Sequence, residues 1–286
     1  MSPSPSISVC ILCYNQAHLI ASNVRAALAQ TRPPDEILAV DDGSMDGSTE
    51  ILRGFPGVRV LVHPENRGRA AARNTLLQAA SGEIVLFLDG DVVADRKVVE
   101  TLLGEYHEPR VGAVGGRAVD RGGSGLANRW RQRHVTQELP EWTDRANNLF
   151  GSCFSGRTEL LKEVGGWRPG AEECDLGHRL RARGHRLVFT PDAVVHHIRD
   201  DNLLSLMELN WRWWGGEYVA RKRNNLPTML PFVRFATKEL VEHLRSDVRT
   251  DRDLALVAID VAAYVVRVAA IVRAALWRGS SLPGHW

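Results

Sequence analysis

Apolar positions alternate between two periods along the first part of the chain. Residues 7–13 (ISVCILC) form an almost unbroken apolar run of strand length, and residues 36–40, 58–62, 84–88 and 111–114 repeat it. Between these runs, apolar residues recur three and four positions apart. Such stretches cover residues 17–30, closed by Pro33-Pro34, and 67–80, closed by Gly82. A third covers 96–106, with Asp95 placed to cap it. Asp46-Gly47-Ser48 marks a turn and a further helix start. This strand–helix–strand rhythm predicts an α/β fold with a mainly parallel sheet and right-handed crossovers.

The pattern changes at Gly122-Gly123-Ser124-Gly125. Residues 127–148 are polar, basic and tryptophan-containing, without clear periodicity. Residues 157–164 and 176–183 have helical spacing, with Gly165-Gly166 between them, and 187–190 and 193–196 look like two short strands. From Leu203 onward the chain is mainly helical. The stretch 254–277 is rich in Ala, Val, Leu and Ile, but Asp260, Arg267 and Arg273 leave no uncharged span of 18 residues, so a transmembrane helix is not expected. On a helical projection Asp253, Asp260, Arg267 and Arg278 form one narrow stripe. A helix that apolar must bury most of its surface against the domain, a second copy in a homodimer, or a bilayer interface.

Composition narrows the picture. With 286 residues, 44% apolar and 24% charged, the chain has the make-up of a globular protein with a sizeable core. A formal net charge of +2 offers no case for a nucleic-acid partner. Basic residues do cluster: Arg117, Arg121, Arg129, Arg131 and Arg133 near Asp120, and Arg212, Arg221, Lys222 and Arg223 around Glu217. These are solvated faces, or contacts for anionic acceptors or lipid headgroups. Cys10 and Cys13 lie three apart on a strand, on opposite faces and roughly 10 Å from each other, so they neither chelate one ion nor form a disulfide. All four cysteines read as core or near-core thiols in a reducing compartment. The Ser/Pro-rich start lacks a signal-peptide pattern, so the expected location is cytoplasmic, at the inner face of the plasma membrane if the C-terminal helices touch lipid.

The chemistry concentrates in two acidic signatures, Val40-Asp41-Asp42-Gly43-Ser44 and Phe87-Leu88-Asp89-Gly90-Asp91, each following a strand. Carboxylates at the carboxyl ends of parallel strands point into the crevice where open α/β sheets bind ligands. Asp-x-Asp there is a hard-oxygen site suited to Mg²⁺ or Mn²⁺, ions that usually also hold a substrate phosphate. The pair reads as a metal-assisted nucleotide site.

Further motifs follow in order: Cys13-Tyr14-Asn15, Glu65-Asn66-Arg67-Gly68, Ala72-Arg73-Asn74, Ser81-Gly82-Glu83, Gly165-Gly166-Trp167, Glu172-Glu173-Cys174-Asp175-Leu176, and Pro191 through His197. With the two acidic signatures, they make residues 7–197 resemble the inverting glycosyltransferases of family 2, whose fold is GT-A. The resemblance implies a GT-A catalytic domain over residues 1–200, with a nucleotide-sugar half at about 1–115 and an acceptor half at about 116–200. A C-terminal helical extension would follow over 201–286.

It also implies roles. Asp42 accepts a hydrogen bond from the donor base, uracil in many members, which favours a UDP-sugar; Asp41 is the turn residue. Tyr14, Asn15 and Gly90 line the donor. Of Arg67, Arg69 and Arg73, one pairs with the diphosphate, and Arg73 is equally suited to be a structural tether. Asp91 is the principal metal ligand, Asp89 supports the ribose or the metal, and His197, in preference to His196, completes the metal shell. The general base falls at Glu173, with Glu172 second, where the family usually has Asp. Trp167, Arg212 and Trp213 fall on the acceptor side; Asn210 to Trp214 partly matches the Gln-x-x-Arg-Trp motif of processive members, with Leu209 at the Gln position. The implied reaction moves a hexose to an unidentified acceptor hydroxyl in glycan, glycolipid or secondary-metabolite synthesis. Two rivals remain. A sugar-phosphate nucleotidyltransferase would need a Gly-rich loop where Tyr14-Asn15-Gln16 stands. A silent nucleotide-sugar-binding scaffold would keep Asp42 and Asp91 and lose the base.

Overall fold

The computed structural model describes residues 4–135, 137, 149–170, 172–225, 229–248 and 254–276. Two compact units emerge. The first comprises the chain up to Arg121 with Gln137–Arg168 and Leu176–Arg199; the second comprises Gly122–Thr136, Pro169–Asp175 and the chain from Asp200.

The first unit is built on one eight-stranded sheet. Its strands are β1 (Ile7–Cys13), β2 (Glu36–Asp41), β3 (Val58–Val62), β4 (Ile84–Asp89), β5 (Val92–Ala94), β6 (Val111–Asp120), β7 (Cys153–Arg157) and β8 (Arg186–His197), in the order β3-β2-β1-β4-β7-β6-β8-β5. The β3-β2-β1-β4 half is parallel throughout. Every residue of β1 is buried, which is why these strands read as continuous apolar runs instead of alternating ones. One apolar layer contains Cys13 and the other Cys10, so the two thiols do lie on opposite faces.

Helices cover both faces. α1 (Ile20–Leu28) buries Ile20, Asn23, Val24 and Ala27, the spacing of a single helical stripe. α2 (Ser48–Arg53), α3 (Arg69–Ala79) and α4 (Val98–Gly104) follow in the crossovers. Asp95 does not cap α4: its carboxylate bonds His196 Nε2 at 2.9 Å, and only its backbone oxygen accepts from Val98 N. α6 (Thr158–Glu163) follows β7, and α7 (Glu172–Ala182) sends Leu176 and Leu180 into the core.

Two features depart from the parallel sheet that the sequence predicts. β7 runs antiparallel to both β4 and β6, and β5 antiparallel to β8. The two short strands expected after residue 187 are a single one, β8, whose register against β6 slips between Gly115 and Arg117.

The second unit is helical: α5 (Leu126–His134), α8 (Leu203–Arg223), α9 (Met229–Ser246) and α10 (Leu254–Leu276). Asn202 caps α8 through a reciprocal capping box with Ser205. α5 has no apolar periodicity because its buried side includes Asn128 and Arg131 as well as Ala127 and Trp130. Arg131 pairs there with Asp201. Asp260 and Arg267 of the charged stripe on α10 are buried, whereas Asp253, Trp277 and Arg278 lie outside the described residues.

Candidate active site

In the register of the parallel strands, Cys13 lies beside Asp41 and Leu12 beside Asp89. Both acidic signatures therefore leave the sheet at the same end, on either side of Tyr14-Asn15.

The first signature is a tightly tied turn. Asp41 accepts from Ser44 N at 3.0 Å and from the Thr49 hydroxyl, so it is the turn residue. Gly43 has φ +79°, and a Cβ there would lie 2.5 Å from the Glu65 backbone. Asn15 grips the same turn: its N–H donates to Ser44 Oγ at 2.8 Å, and its Oδ1 accepts from Met45 N at 3.0 Å. Tyr14 stays exposed.

Asp42 is buried at the end of β2. Its Oδ1 accepts from Arg67 N at 3.0 Å, its Oδ2 from Gly68 N at 2.8 Å, and His63 Nδ1 lies 2.6 Å from Oδ1. His63 Nε2 is held in turn by Thr75 Oγ1 at 2.9 Å. Three of about four acceptor directions are thus used within the chain, leaving room for one more donor. His63 escaped the sequence reading. Its place directly after β3, at a strand's carboxyl end, is the signal that marks it.

The second signature has no space to spare. A Cβ on Gly90 would fall 1.9 Å from Gln16 Oε1 and 2.3 Å from Leu12 O. Asp89 is fixed by Asn23 Nδ2, which donates to its backbone oxygen, and by Arg73 Nη2, 3.0 Å from Oδ1. The Arg73 side chain is 1% exposed, so of its two readings the structural tether is the one seen. Arg69 opens α3, and Arg67 is exposed while its backbone serves Asp42.

Asp91 and His197 meet because Val92 pairs with His197 across β5 and β8. His197 Nδ1 lies 3.6 Å from Asp91 Oδ1. Its other nitrogen, Nε2, is 3.0 Å from Ser152 Oγ. Nδ1 is buried and has no hydrogen-bond partner. With the proton on Nε2, a lone pair on Nδ1 faces a carboxylate at a distance too long for a hydrogen bond and suited to a shared cation. The Asp91 carboxylate and the His197 imidazole are donors of the kind that a divalent ion takes, while Asp89 is paired with Arg73. Arg199 Nη1 adds a charge-assisted bond to Asp91 Oδ2 at 3.1 Å. Ser152 and Arg199 also escaped the sequence reading; Arg199, two residues past His197, is within reach of the same motif. His196 points away, to Asp95.

Trp167 requires a correction. Only 2% of it is exposed, its ring packs on Phe87 and Phe154 at 4.6 and 5.6 Å, and Asn74 holds its backbone at both N–H and carbonyl. It is a core residue and presents no face to an acceptor.

In the second unit, Glu172 and Glu173 open α7, where acids favour the helix dipole, and Glu172 has φ +27°. The Cys174 thiol beside them is pushed well up, first by burial and then by the Glu217 carboxylate. Asp175 accepts from Asn224 Nδ2 at 3.2 Å. Trp214 is buried against Phe232 and Phe235, and Trp211 lies under the Arg273 guanidinium at 5.6 Å. Trp213 is the exposed member of that cluster; Arg212 is half-buried.

The sequence profile of glycosyl transferase family 2 matches residues 8–165, more than half of the chain. The chain belongs to that family. Among curated relatives of this family 2 glycosyltransferase is the poly-β-1,6-N-acetyl-D-glucosamine synthase of Staphylococcus aureus, 26% identical over 236 residues, covering 78% of this chain and 57% of that protein. Another is the pre-mycofactocin glycosyltransferase of Mycobacterium tuberculosis, 32% identical over 173 residues, covering 56% of this chain and 37% of that one. The chain thus spans about half or less of the length of these relatives. Among solved structures, the mannosyltransferase PcManGT of Pyrobaculum calidifontis, in complex with GDP-Man and Mn²⁺, superposes with a TM-score of 0.65 at 22% identity, covering 97% of this chain and 82% of that one. GalNAc-T7 with UDP, GalNAc and Mn²⁺ gives 0.56 at 17% identity, over 85% of this chain and 58% of that one. The fold of the family 2 chain is GT-A, with helices added at its C-terminal end.

Proposed function

We propose that this family 2 glycosyltransferase is a metal-dependent, inverting hexosyltransferase. It would transfer a sugar from a nucleoside-diphosphate sugar, a UDP-sugar in first place, to an acceptor hydroxyl in glycan, glycolipid or secondary-metabolite synthesis. The observation that carries the reading is His197 Nδ1, buried, set 3.6 Å from Asp91 Oδ1 and left without a hydrogen bond. The Staphylococcus aureus relative named for a hexosamine polymer, and the structural neighbours holding GDP-Man or UDP with Mn²⁺, support a nucleotide-sugar donor and a divalent ion.

Asp91 and His197, with Asp89 assisting, would hold Mg²⁺ or Mn²⁺. When bound, that ion supplies neutralisation of the charge that builds on the diphosphate leaving group. Arg73 and Arg199 keep the two carboxylates in place. Asp42 would offer its remaining acceptor direction to a ring N–H of the base, beside Tyr14 and Asn15, and Arg69, at the start of α3, would pair with the diphosphate. Glu173, or Glu172 in second place, takes the proton from the acceptor hydroxyl as its oxygen bonds to the anomeric carbon and the bond to the diphosphate oxygen breaks on the opposite face. Arg212 and Trp213 remain the acceptor-side residues.

The second unit suits a peripheral membrane position. α10 has the length and composition to cross a bilayer. It turns Asp260 and Arg267 inward and leaves Leu254, Val261, Val265, Val272 and Leu276 exposed. Tyr264, Val265, Val268 and Val272 line a groove along it. An aliphatic surface of this kind suits acyl chains better than a specific protein partner, so the enzyme is read as lying on the cytoplasmic face of the membrane.

Thermal shift against a panel of nucleotide sugars with Mn²⁺ tests the donor, because a ligand that binds only the native state raises its apparent stability. Metal-dependent hydrolysis of the stabilising donor then separates a transferase from a silent binder. A chain that no nucleotide sugar stabilises, with or without Mn²⁺, contradicts the proposal.

A further inference from the structure

Within the helical unit, a cluster of titratable side chains lies among α5, α9 and α10 and has no part in the proposed reaction. His134 ends α5, His243 sits in the last turn of α9, Asp247 directly follows α9, and Asp260 lies in α10. The cluster is sealed: both carboxylate side chains are 0% exposed, His134 3% and His243 14%. His134 Nε2 lies 3.0 Å from each Asp247 oxygen and 3.9 Å from Asp260 Oδ1. His243 Nδ1 lies 3.3 Å from Asp260 Oδ1. One ligand atom each from His134, His243 and Asp260 falls within 4.8 Å of the others.

These spacings suit a metal. Donors arranged tetrahedrally around Zn²⁺ at its usual N and O distances stand roughly 3.3 Å apart, a value that the observed separations bracket. Without a cation the arrangement is costly. Two sealed carboxylates share one small space, and Asp260 Oδ2 is buried without a hydrogen-bond partner. Of the neighbouring cations, Arg133 answers Asp247 and Arg267 is committed outside the cluster, which leaves Asp260 without an arginine partner among the described residues. Arg133 Nε lies 3.0 Å from Asp247 Oδ1, and Arg267 bonds Asn210 Oδ1 at 2.8 Å and Glu239 at 2.9 Å. The two imidazoles stack with centroids 4.0 Å apart, a spacing at which two imidazolium charges would repel. A supporting layer is present too: Trp130 Nε1 donates to Asp260 Oδ1 at 2.8 Å, and Arg133 steadies Asp247.

We propose that His134, His243 and Asp260 form a divalent-metal site of the Zn²⁺ type, separate from the one proposed at Asp91, that staples α5, α9 and α10 together, with Asp247 beside it on His134. The three ligands come from three different helices of one unit and lie away from the proposed reaction, which assigns the ion a structural task.

The test uses the full chain carrying Asp91→Asn, stripped with chelator and titrated with Co²⁺ alone. Expected is one equivalent bound, with the visible absorption of four-coordinate Co²⁺, displaced by Zn²⁺. Adding His243→Gln, or separately Asp260→Asn, should abolish that absorption. A measurement without helix variants stands beside it. Zn²⁺ should shield His134 and His243 from diethylpyrocarbonate, read by peptide mass spectrometry, while the exposed His107 stays reactive. The proposal fails if the Asp91→Asn chain shows no four-coordinate Co²⁺ spectrum, if a folded His243→Gln variant retains it, or if Zn²⁺ leaves both histidines as reactive as before.

Discussion

Asp91 Oδ1 and His197 Nδ1 face each other at 3.6 Å, with Ser152 holding the far nitrogen of the imidazole. The pairing follows from the short antiparallel ladder between β5 and β8, which sets Val92 against His197. Asp91→Asn should abolish metal-dependent nucleoside-diphosphate binding and leave the circular dichroism spectrum unchanged. Ser152→Ala should weaken the metal response by about 10–100-fold, the usual effect of losing a ligand's supporting bond. Calorimetry with UDP and GDP, with Mn²⁺ and with chelator, reads both. Unchanged affinity and metal response in Asp91→Asn would remove that residue from the ligand set.

Asp42 has two tasks, and its removal should register in two experiments. Its carboxylate ties down His63, Arg67 N and Gly68 N. Losing a charged acceptor for those groups should cost about 1.5–3 kcal/mol of stability in urea denaturation. Loss of base recognition should weaken nucleoside-diphosphate binding by a similar amount, about 1.5–3 kcal/mol. Asp42→Ala with its stability reduced and its nucleotide affinity intact would leave Asp42 as a loop tether alone.

The parallel half of the sheet was legible because strands buried on both faces have little choice but to be apolar along their whole length. β1 and β3 match their sequence-read bounds end to end. The antiparallel insertion of β7 was not legible, since Cys153-Phe154-Ser155-Gly156-Arg157 is neither a continuous apolar run nor an alternation, and pairing direction leaves no trace in so short a segment. α5 stayed hidden because its inward side carries Arg131 and Asn128, whose partners Asp201 and Asp200 lie about 70 residues away in sequence. At the site, residue type and strand-end position singled out Asp42, Asp89 and Asp91 as candidates, and the family resemblance added His197. They did not reveal His63 or Ser152, which matter only through the side chains they touch. Trp167 misled for the converse reason: a motif gives position in the chain, and burial against Phe87 and Phe154 is decided by packing.

α10 buries Asp260 and Arg267 while Leu254, Val261, Val265, Val272 and Leu276 stay exposed, an apolar face unusual for a helix folded for water alone. The full chain should sediment with anionic liposomes, and Val261→Ser/Val265→Ser/Val272→Ser should release it while keeping the helical content. A chain that stays in the supernatant and runs as a stable dimer in light scattering would assign this face to a second copy. A soluble monomer would refute both uses.

The cysteines should be silent toward thiol reagents. Burial pushes Cys13 and Cys153 up to about 12 and raises Cys10 further, while Glu217 adds to burial at Cys174. A raised thiol pKa means that the reactive thiolate is scarce at pH 8 and gains only as pH climbs toward that value. Native protein should therefore react slowly with a disulfide reagent at pH 8, and all four thiols should titrate at once in guanidinium. A fast-reacting Cys10, Cys13 or Cys153 in the native chain would contradict the burial of the strand that carries it.

Glu173 is the prediction on which the chemistry turns. It stands at the family's base position, with Glu in place of the usual Asp, in the first turn of α7. If it accepts the acceptor proton, its loss should spare donor binding and depress kcat by about 10²–10⁴-fold, the range for general-base catalysis. Glu173→Gln keeps the shape and removes the basicity, and Glu172→Gln should do less. The two variants separate the readings through kcat, KM and calorimetric donor affinity measured together. A dead Glu172 variant beside an active Glu173 variant moves the base by one residue. If both keep full turnover, neither glutamate is the base, and Asp175 becomes the next residue to substitute. Its carboxylate is buried and already accepts from Asn224, so Asp175→Asn should also be followed by thermal unfolding, to separate a lost proton acceptor from a loosened helix start.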